Sequence, residues 1–332
     1  MKNGDRIYWI DCAKGITILL VIIGHSIYNP MVRGPIFSFH MPLFFILSGM
    51  TYKWSKDIIE YKAKTLKAFW HLIIPAISIY VVTTVLLEKS DVFLKSNLLA
   101  SVLTLFFSSG VKFSLPLFFG GGYIVNALGM PWFLVVLFFA RSIYDYLQMK
   151  ISKRLVMIIC IFLSFIGAII SKYIWLPFSF DIVLAIMLYL YIGANVCINK
   201  NTDNRVFKCT MAFIIWVFTL LIEFYFTQNY LELASREYVL FPLCHITAIA
   251  GTLFICGISN VLEKKNSILC YLGRHSLYIF CIHALDKLWK PLYNMTCSDV
   301  ANCMFRLMID LLIFVMIIWL KKQVDEKYKK GI

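Results

Sequence analysis

The sequence predicts an all-α fold, a polytopic integral membrane bundle of about ten transmembrane helices with both termini cytoplasmic, and three observations carry that expectation. Apolar residues make up 61% and aromatic residues 16% of the 332, and the mean hydropathy is +0.79. A soluble domain of this length needs far less to fill one core. Apolar stretches of the roughly 20 residues that cross a hydrocarbon layer recur along the chain, and the loops between them alternate between rich and poor in lysine and arginine.

The spans fall near 8–28, 35–53, 68–88, 131–148, 155–174, 178–198, 207–227, 239–262, 267–286 and 303–320. The first is expected to remain in the mature chain. Asp5, Arg6, Asp11 and Lys14 interrupt it, and Ile16–Ile23 leads to Gly24-His25 without a small-x-small cleavage site. The second holds His40 and Pro42, and the proline removes a backbone donor and favours a kink. The segment 88–130 is long and mostly apolar, with a short helix expected over Leu98–Phe107 ahead of Gly110, Pro116 and the Gly120-Gly121-Gly122 turn. It reads equally as a re-entrant lid over an outer vestibule or as an aromatic-rich interface loop. Later spans place Arg141, Asp181, Glu223 and Asp310 at or inside the apolar layer, as members of a polar cavity. His283 reads as structural.

With a cytoplasmic N-terminus, the inner segments carry Lys2 and Arg6, then Lys53, Lys56, Lys62, Lys64 and Lys67, then Lys150, Lys153 and Arg154. Lys200, Arg205, Lys208, Lys264, Lys265 and the basic tail 321–332 follow. The outer segments hold fewer: Arg33, Lys89, Lys95, Lys112, Lys172, Arg236, Lys287, Lys290 and Arg306. This asymmetry accounts for most of the +14 net charge, so no nucleic-acid partner is needed to explain it. Of the ten cysteines, eight sit in or beside apolar spans without metal-ligand spacing and read as packing residues, so no metal is expected. Cys297 and Cys303 lie near the outer end of the last loop and could pair there. No soluble module interrupts the chain, which reads as one membrane domain, 1–332.

The chemistry starts in the first span. His25 follows Lys14 by eleven positions, which at about 100° per residue returns both to one helix face, with Asp11 one turn earlier on nearly the same meridian. Ionisable groups inside a bilayer are costly and mark a site by default. Lys14 or Arg6 could instead anchor at the headgroups, but Asp11 argues for a pair or a polar cavity. Lys14 and His25 stand about 17 Å apart along the helix, so the stripe runs from the inner toward the outer half of the layer. The short 27–35 hairpin is expected to bring His40 to the level of His25.

The run Arg6-Ile-Tyr-Trp-Ile-Asp11-Cys-Ala-Lys14-Gly15, then Gly24-His25, then Phe39-His40-Met-Pro42-Leu-Phe-Phe-Ile-Leu-Ser48-Gly49 resembles the opening of membrane-bound acyltransferase family 3. Within it the chain is most similar to the sugar O-acetylases of surface polysaccharides, of the fucose 4-O-acetylase type. Pro131-Trp132-Phe133-Leu134, Leu176-Pro177-Phe178-Ser179-Phe180-Asp181, and Leu272-Gly273-Arg274-His275-Ser276-Leu277 agree with it, and the resemblance covers about 5–320.

That resemblance implies a multi-pass enzyme of a bacterial cytoplasmic membrane. It would take an acyl group, usually acetyl, from cytoplasmic acetyl-CoA and pass it to a hydroxyl of a cell-surface or lipid-linked glycan at the outer face. The family's motif of a basic residue, ten residues and a histidine maps onto Lys14 and His25. Where many members carry paired arginines in the first cytoplasmic loop, this chain has Lys64, Lys67 and His71, and lysine holds phosphate as a point charge. Arg6 and Arg274 join these as donor-binding residues, with Arg274 reading equally as an inner anchor. A sugar hydroxyl needs a base near neutral pH, so His25 would act as that base or carry the acyl group itself. His40, Ser48 or a backbone N–H would meet the oxyanion, and Asp11 would fix Lys14 or Arg6. Self-association is compatible with this reading. The competing readings are an exporter of a polysaccharide intermediate, weakened by the lack of a visible repeat, and a membrane scaffold.

Overall fold

A computed structural model of the chain describes residues 7–87, 98–115, 124–195, 204–262, 267–296 and 298–329. Arg6, Cys297 and the 120–122 turn lie outside them. Of the described residues, 79% are helical. In chain order the helices are α1 (Tyr8–Ser26), α2 (Pro30–Phe37), α3 (His40–Thr51), α4 (Ile58–Ala68), a π-helical turn (Phe69–Ile73), α5 (Ile74–Leu87), α6 (Leu98–Phe107), α7 (Trp132–Lys150) and α8 (Lys153–Ile170). Then follow α9 (Phe180–Ala185), α10 (Met187–Asn195), α11 (Arg205–Thr227), α12 (Leu243–Leu262), α13 (Ile268–Arg274), α14 (Ser276–Leu285), α15 (Lys290–Tyr293) and α16 (Asp299–Lys329). Two two-residue strands, Phe113–Ser114 and Ile124–Val125, pair antiparallel.

Among the described residues, seven segments are long and apolar enough to cross a membrane: Tyr8–Ser26, Pro30–Thr51, Ile58–Leu86, Lys153–Ile170, Val206–Thr227, Leu243–Leu262 and Asp299–Glu326. Two bent pairs, α9 with α10 at 50° and α13 with the helix that follows it at 71°, raise the number to nine. The expected tenth span is α7. It is a 19-residue helix, but its second half carries Arg141, Asp145, Gln148 and Lys150, which dilute the apolar run. The expected helix over Leu98–Phe107 is present and, at 10 residues, is short of a crossing.

The chain divides into two compact units, 1–36 with 259–332, and 37–258. In the first unit α1 packs along α13, backbone against backbone. A Cβ on Gly15 would stand 2.0 Å from the Leu269 carbonyl oxygen, and one on Gly273 would stand 1.7 Å from that of Asp11. Without a hydrophobic drive between helices in lipid, such close approach supplies the packing energy that holds them together. In the second unit α3 meets α10 the same way through Gly49 and Gly193.

The second unit also holds a buried ion pair. Arg236, in the loop between α11 and α12, is 4% exposed, and its Nε donates to Asp181 Oδ2 at 2.9 Å. Its terminal nitrogens donate to Ser109 Oγ at 2.9 Å, Ser179 Oγ at 3.1 Å and the Ala234 carbonyl at 2.8 Å. The guanidinium lies 3.9 Å from the centroid of the Trp175 ring. Asp181→Ala would leave that guanidinium buried without a countercharge, at a cost of about 3–5 kcal/mol. A drop of several degrees in the unfolding midpoint in detergent is expected, and an unchanged midpoint would show that water reaches Arg236.

Candidate active site

The first helix places the acidic and basic residues of the expected stripe. Thr17, Ile18, Val21 and Ile22 are buried on α1, and Asp11 is buried with them, whereas Lys14 and His25 are half-buried. Across the Gly15–Gly273 contact, α13 brings Arg274 Nε to 4.0 Å from Asp11 Oδ2. Asp11 thus has a cationic neighbour from a helix more than 250 residues away in sequence, besides the Lys14 on its own helix.

At the other end of α1, a cluster that the sequence reading left unassigned surrounds His25. The His25 and His283 rings stand 5.7 Å apart, centroid to centroid, at 50°. His283 is fully buried. Its Nδ1 lies 2.9 Å from Asp310 Oδ2 and 3.0 Å from Asp286 Oδ2. Trp289 Nε1 donates to the second oxygen of Asp310 at 3.2 Å. Arg306 Nε donates to Asp286 Oδ2. Its Nη1 donates to the His25 carbonyl oxygen at 2.6 Å and to Ser26 Oγ at 3.2 Å, and the guanidinium sits 5.2 Å from the Tyr293 ring centroid. A cation donating to the open carbonyls of a helix C-terminus is favourable both as a cap and against the helix dipole. It fixes the end of α1 that presents His25.

Arg306, expected as an outer-loop charge, is therefore 8% exposed and paired. His283, expected as structural, is paired within this charge cluster. A signal was present: His283 and Asp286 are spaced i, i+3, and Arg306 and Asp310 i, i+4, which puts each pair on one helix face. His283, Asp286 and Asp310 bring ligand-type atoms within 4.8 Å of one another. Asp286 Oδ2 meets Arg306 and His283, and Asp310 meets Trp289 and His283, while Asp286 Oδ1 is buried without a hydrogen-bond partner among the described residues.

The other expected residues lie in the second unit. His40 is buried, its ring 4.6 Å from that of Phe37. Lys64 Nζ is 2.8 Å from Glu60 Oε1 and donates to the Lys53 carbonyl at 2.6 Å. Lys67 and His71 are exposed, His71 within the π-helical turn. The structure thus keeps Lys64, Lys67 and His71 on one short stretch, α4 and its continuation. Beside them Arg141 stands 4.3 Å from the Tyr52 ring centroid. Asp145 accepts from Tyr52 Oη at 3.2 Å and from the Ser55 amide and hydroxyl at 2.7 Å each. Burial and the Asp145 carboxylate push the Tyr52 phenol up, so it stays a neutral donor.

The apolar helices make the chain a multi-pass membrane protein, and its similarity to known sequences makes it an acyltransferase. It belongs to acyltransferase family 3: the model of that family, described as an acyltransferase domain, matches residues 7–320. No curated protein and no solved structure matches the chain.

Proposed function

We propose that the chain is an O-acyltransferase of the fucose 4-O-acetylase type in a bacterial cytoplasmic membrane, moving an acetyl group from cytoplasmic acetyl-CoA to a hydroxyl of a cell-surface or lipid-linked glycan. The observation that carries the reading is the placement of His25 at the end of the Asp11–Lys14 stripe, beside a buried histidine and two carboxylates within the same unit. His25 takes the hydroxyl proton as base, or accepts the acyl group first. Lys14, one turn from the Asp11–Arg274 pair at the opposite end of α1, supplies positive charge for the donor, and both termini face the cytoplasm. Lys64, Lys67 and His71 serve the phosphates of the donor, and His40 is assigned to the oxyanion.

Glycan NMR of cells with and without the protein tests this. An O-acetyl resonance that depends on the protein is expected, and identical spectra would overturn the reading. Lys67→Gln is expected to raise the KM for acetyl-CoA by about 3–10-fold with kcat unchanged, the signature of lost uniform binding. A fall in kcat at constant KM would remove Lys67 from donor recognition.

A further inference from the structure

We infer that His283, held by Asp310 and Asp286, is a positioning residue that exchanges a proton with His25 during acyl transfer. The inference rests on the proposed O-acyl transfer for its chemistry and on the geometry of the first unit for its partners.

Nδ1 of His283 faces two carboxylate oxygens, at 2.9 and 3.0 Å. That arrangement fixes the tautomer with the proton on Nδ1 and leaves the lone pair on Nε2. Nε2 is buried and has no hydrogen-bond partner among the described residues. A second buried histidine shows what a purely structural one looks like here. His245 has Nδ1 2.7 Å from Tyr189 Oη and Nε2 3.3 Å from Ser164 Oγ, so both of its nitrogens are engaged. A buried imidazole nitrogen without a hydrogen bond costs free energy and asks for an explanation.

The charge balance points the same way. The groups facing His283 are Asp286 from the turn after α14, Asp310 and Arg306 from α16, Tyr293 of α15 on Arg306, and His25 from α1. Two carboxylates against one guanidinium leave one negative charge, so the cluster holds one additional proton without building net charge in the membrane interior. With ring centroids 5.7 Å apart, the two histidines are within reach of proton passage through a small ring rotation or one water.

The step balances without any further reactant. The acceptor oxygen forms its bond to the acyl carbon as its proton moves to one ring nitrogen of His25, and the proton on the other nitrogen passes to His283 Nε2. The carbon–sulfur bond breaks, the proton returns from His283 to His25, and His25 protonates the departing thiolate. His283 ends as it began.

The test uses the full-length protein in membranes carrying its own glycan, with release of the CoA thiol from acetyl-CoA as the readout. His283→Asn keeps a donor where Nδ1 sits and removes the acceptor at Nε2. It is expected to leave protein abundance and the KM for acetyl-CoA unchanged while kcat falls about 100-fold and the acid limb of the kcat profile moves. Asp310→Asn should reproduce the altered pH profile. In parallel, ¹⁵N-histidine NMR from roughly pH 5 to 9 follows His25 itself, whose midpoint is expected to move in His283→Asn. Wild-type kcat and pH profile in the variant, or an unmoved His25 midpoint, would overturn the relay. The NMR result stands whether or not acetyl-CoA is the donor. A wild-type protein that turns over no acetyl-CoA, yet shows the coupled titration, would overturn the proposed reaction and leave the coupling of the two histidines in place.

Discussion

His25→Ala is expected to lower acyl transfer about 1,000-fold, the loss typical when a positioned acid–base group is removed, without lowering the amount of protein in the membrane. The side chain is half-buried at the last turn of α1, so its truncation removes little packing. The turn is held independently, because Arg306 donates to the backbone carbonyl of residue 25 rather than to the imidazole. The fold at this point therefore does not depend on the ring, while the proposed chemistry does. The measurement is transfer of labelled acetyl from acetyl-CoA to the glycan, normalised to membrane protein. Activity within a few-fold of wild type would remove His25 from the reaction, and loss of the protein from the membrane would mean that the ring carries a structural load.

The second large effect is on assembly. Gly273→Val is expected to abolish accumulation of folded protein, and Gly273→Ala to reduce it strongly. The Cβ in either variant would lie 1.7 Å from the Asp11 carbonyl oxygen, a backbone atom that no rotamer change can move. Helices α1 and α13 would have to separate. That forfeits the close packing that replaces hydrophobic drive in lipid and pulls Arg274 away from Asp11. Overpacking of a fitted interior costs about 1–3 kcal/mol even where side chains can yield, and here the obstacle is main chain. Monodispersity after detergent extraction reads the effect. Leu277→Ala, at a 41% exposed position on α14, serves as the control. A folded, monodisperse Gly273→Val protein would contradict the contact.

How far the site could be read from the chain depended on the range of the interactions. The stripe of Asp11, Lys14 and His25 is local: one helix of 3.6 residues per turn places these groups on one face whatever the rest of the chain does. The partners of that stripe are not local. Arg306 counted among the outer-segment charges, and only α16 packing beside α1 shows that its guanidinium is inside, tying Asp286 to the end of the first helix. The burial of Arg236 is equally non-local, since its countercharge Asp181 is 55 residues away. The ten expected spans and the nine candidates differ at α7, a regular helix whose second half carries charge, and the breaks at Ile186 and His275 bend segments that read as continuous.

By itself, the sequence determined that this is a helical multi-pass membrane protein of an acyltransferase family with a charged face on its first helix. Apolar length, helical period and the spacing of a motif are properties of contiguous residues, and no packing is needed to read them. Only the tertiary structure decided what His25 faces. A buried imidazole between two carboxylates is a matter of which helices touch, and that is set by small residues such as Gly15 and Gly273 that let backbones approach. The charge cluster then follows from position in space, because in the low-dielectric interior the carboxylates of Asp286 and Asp310 are offset by Arg306 and the His283 ring N–H.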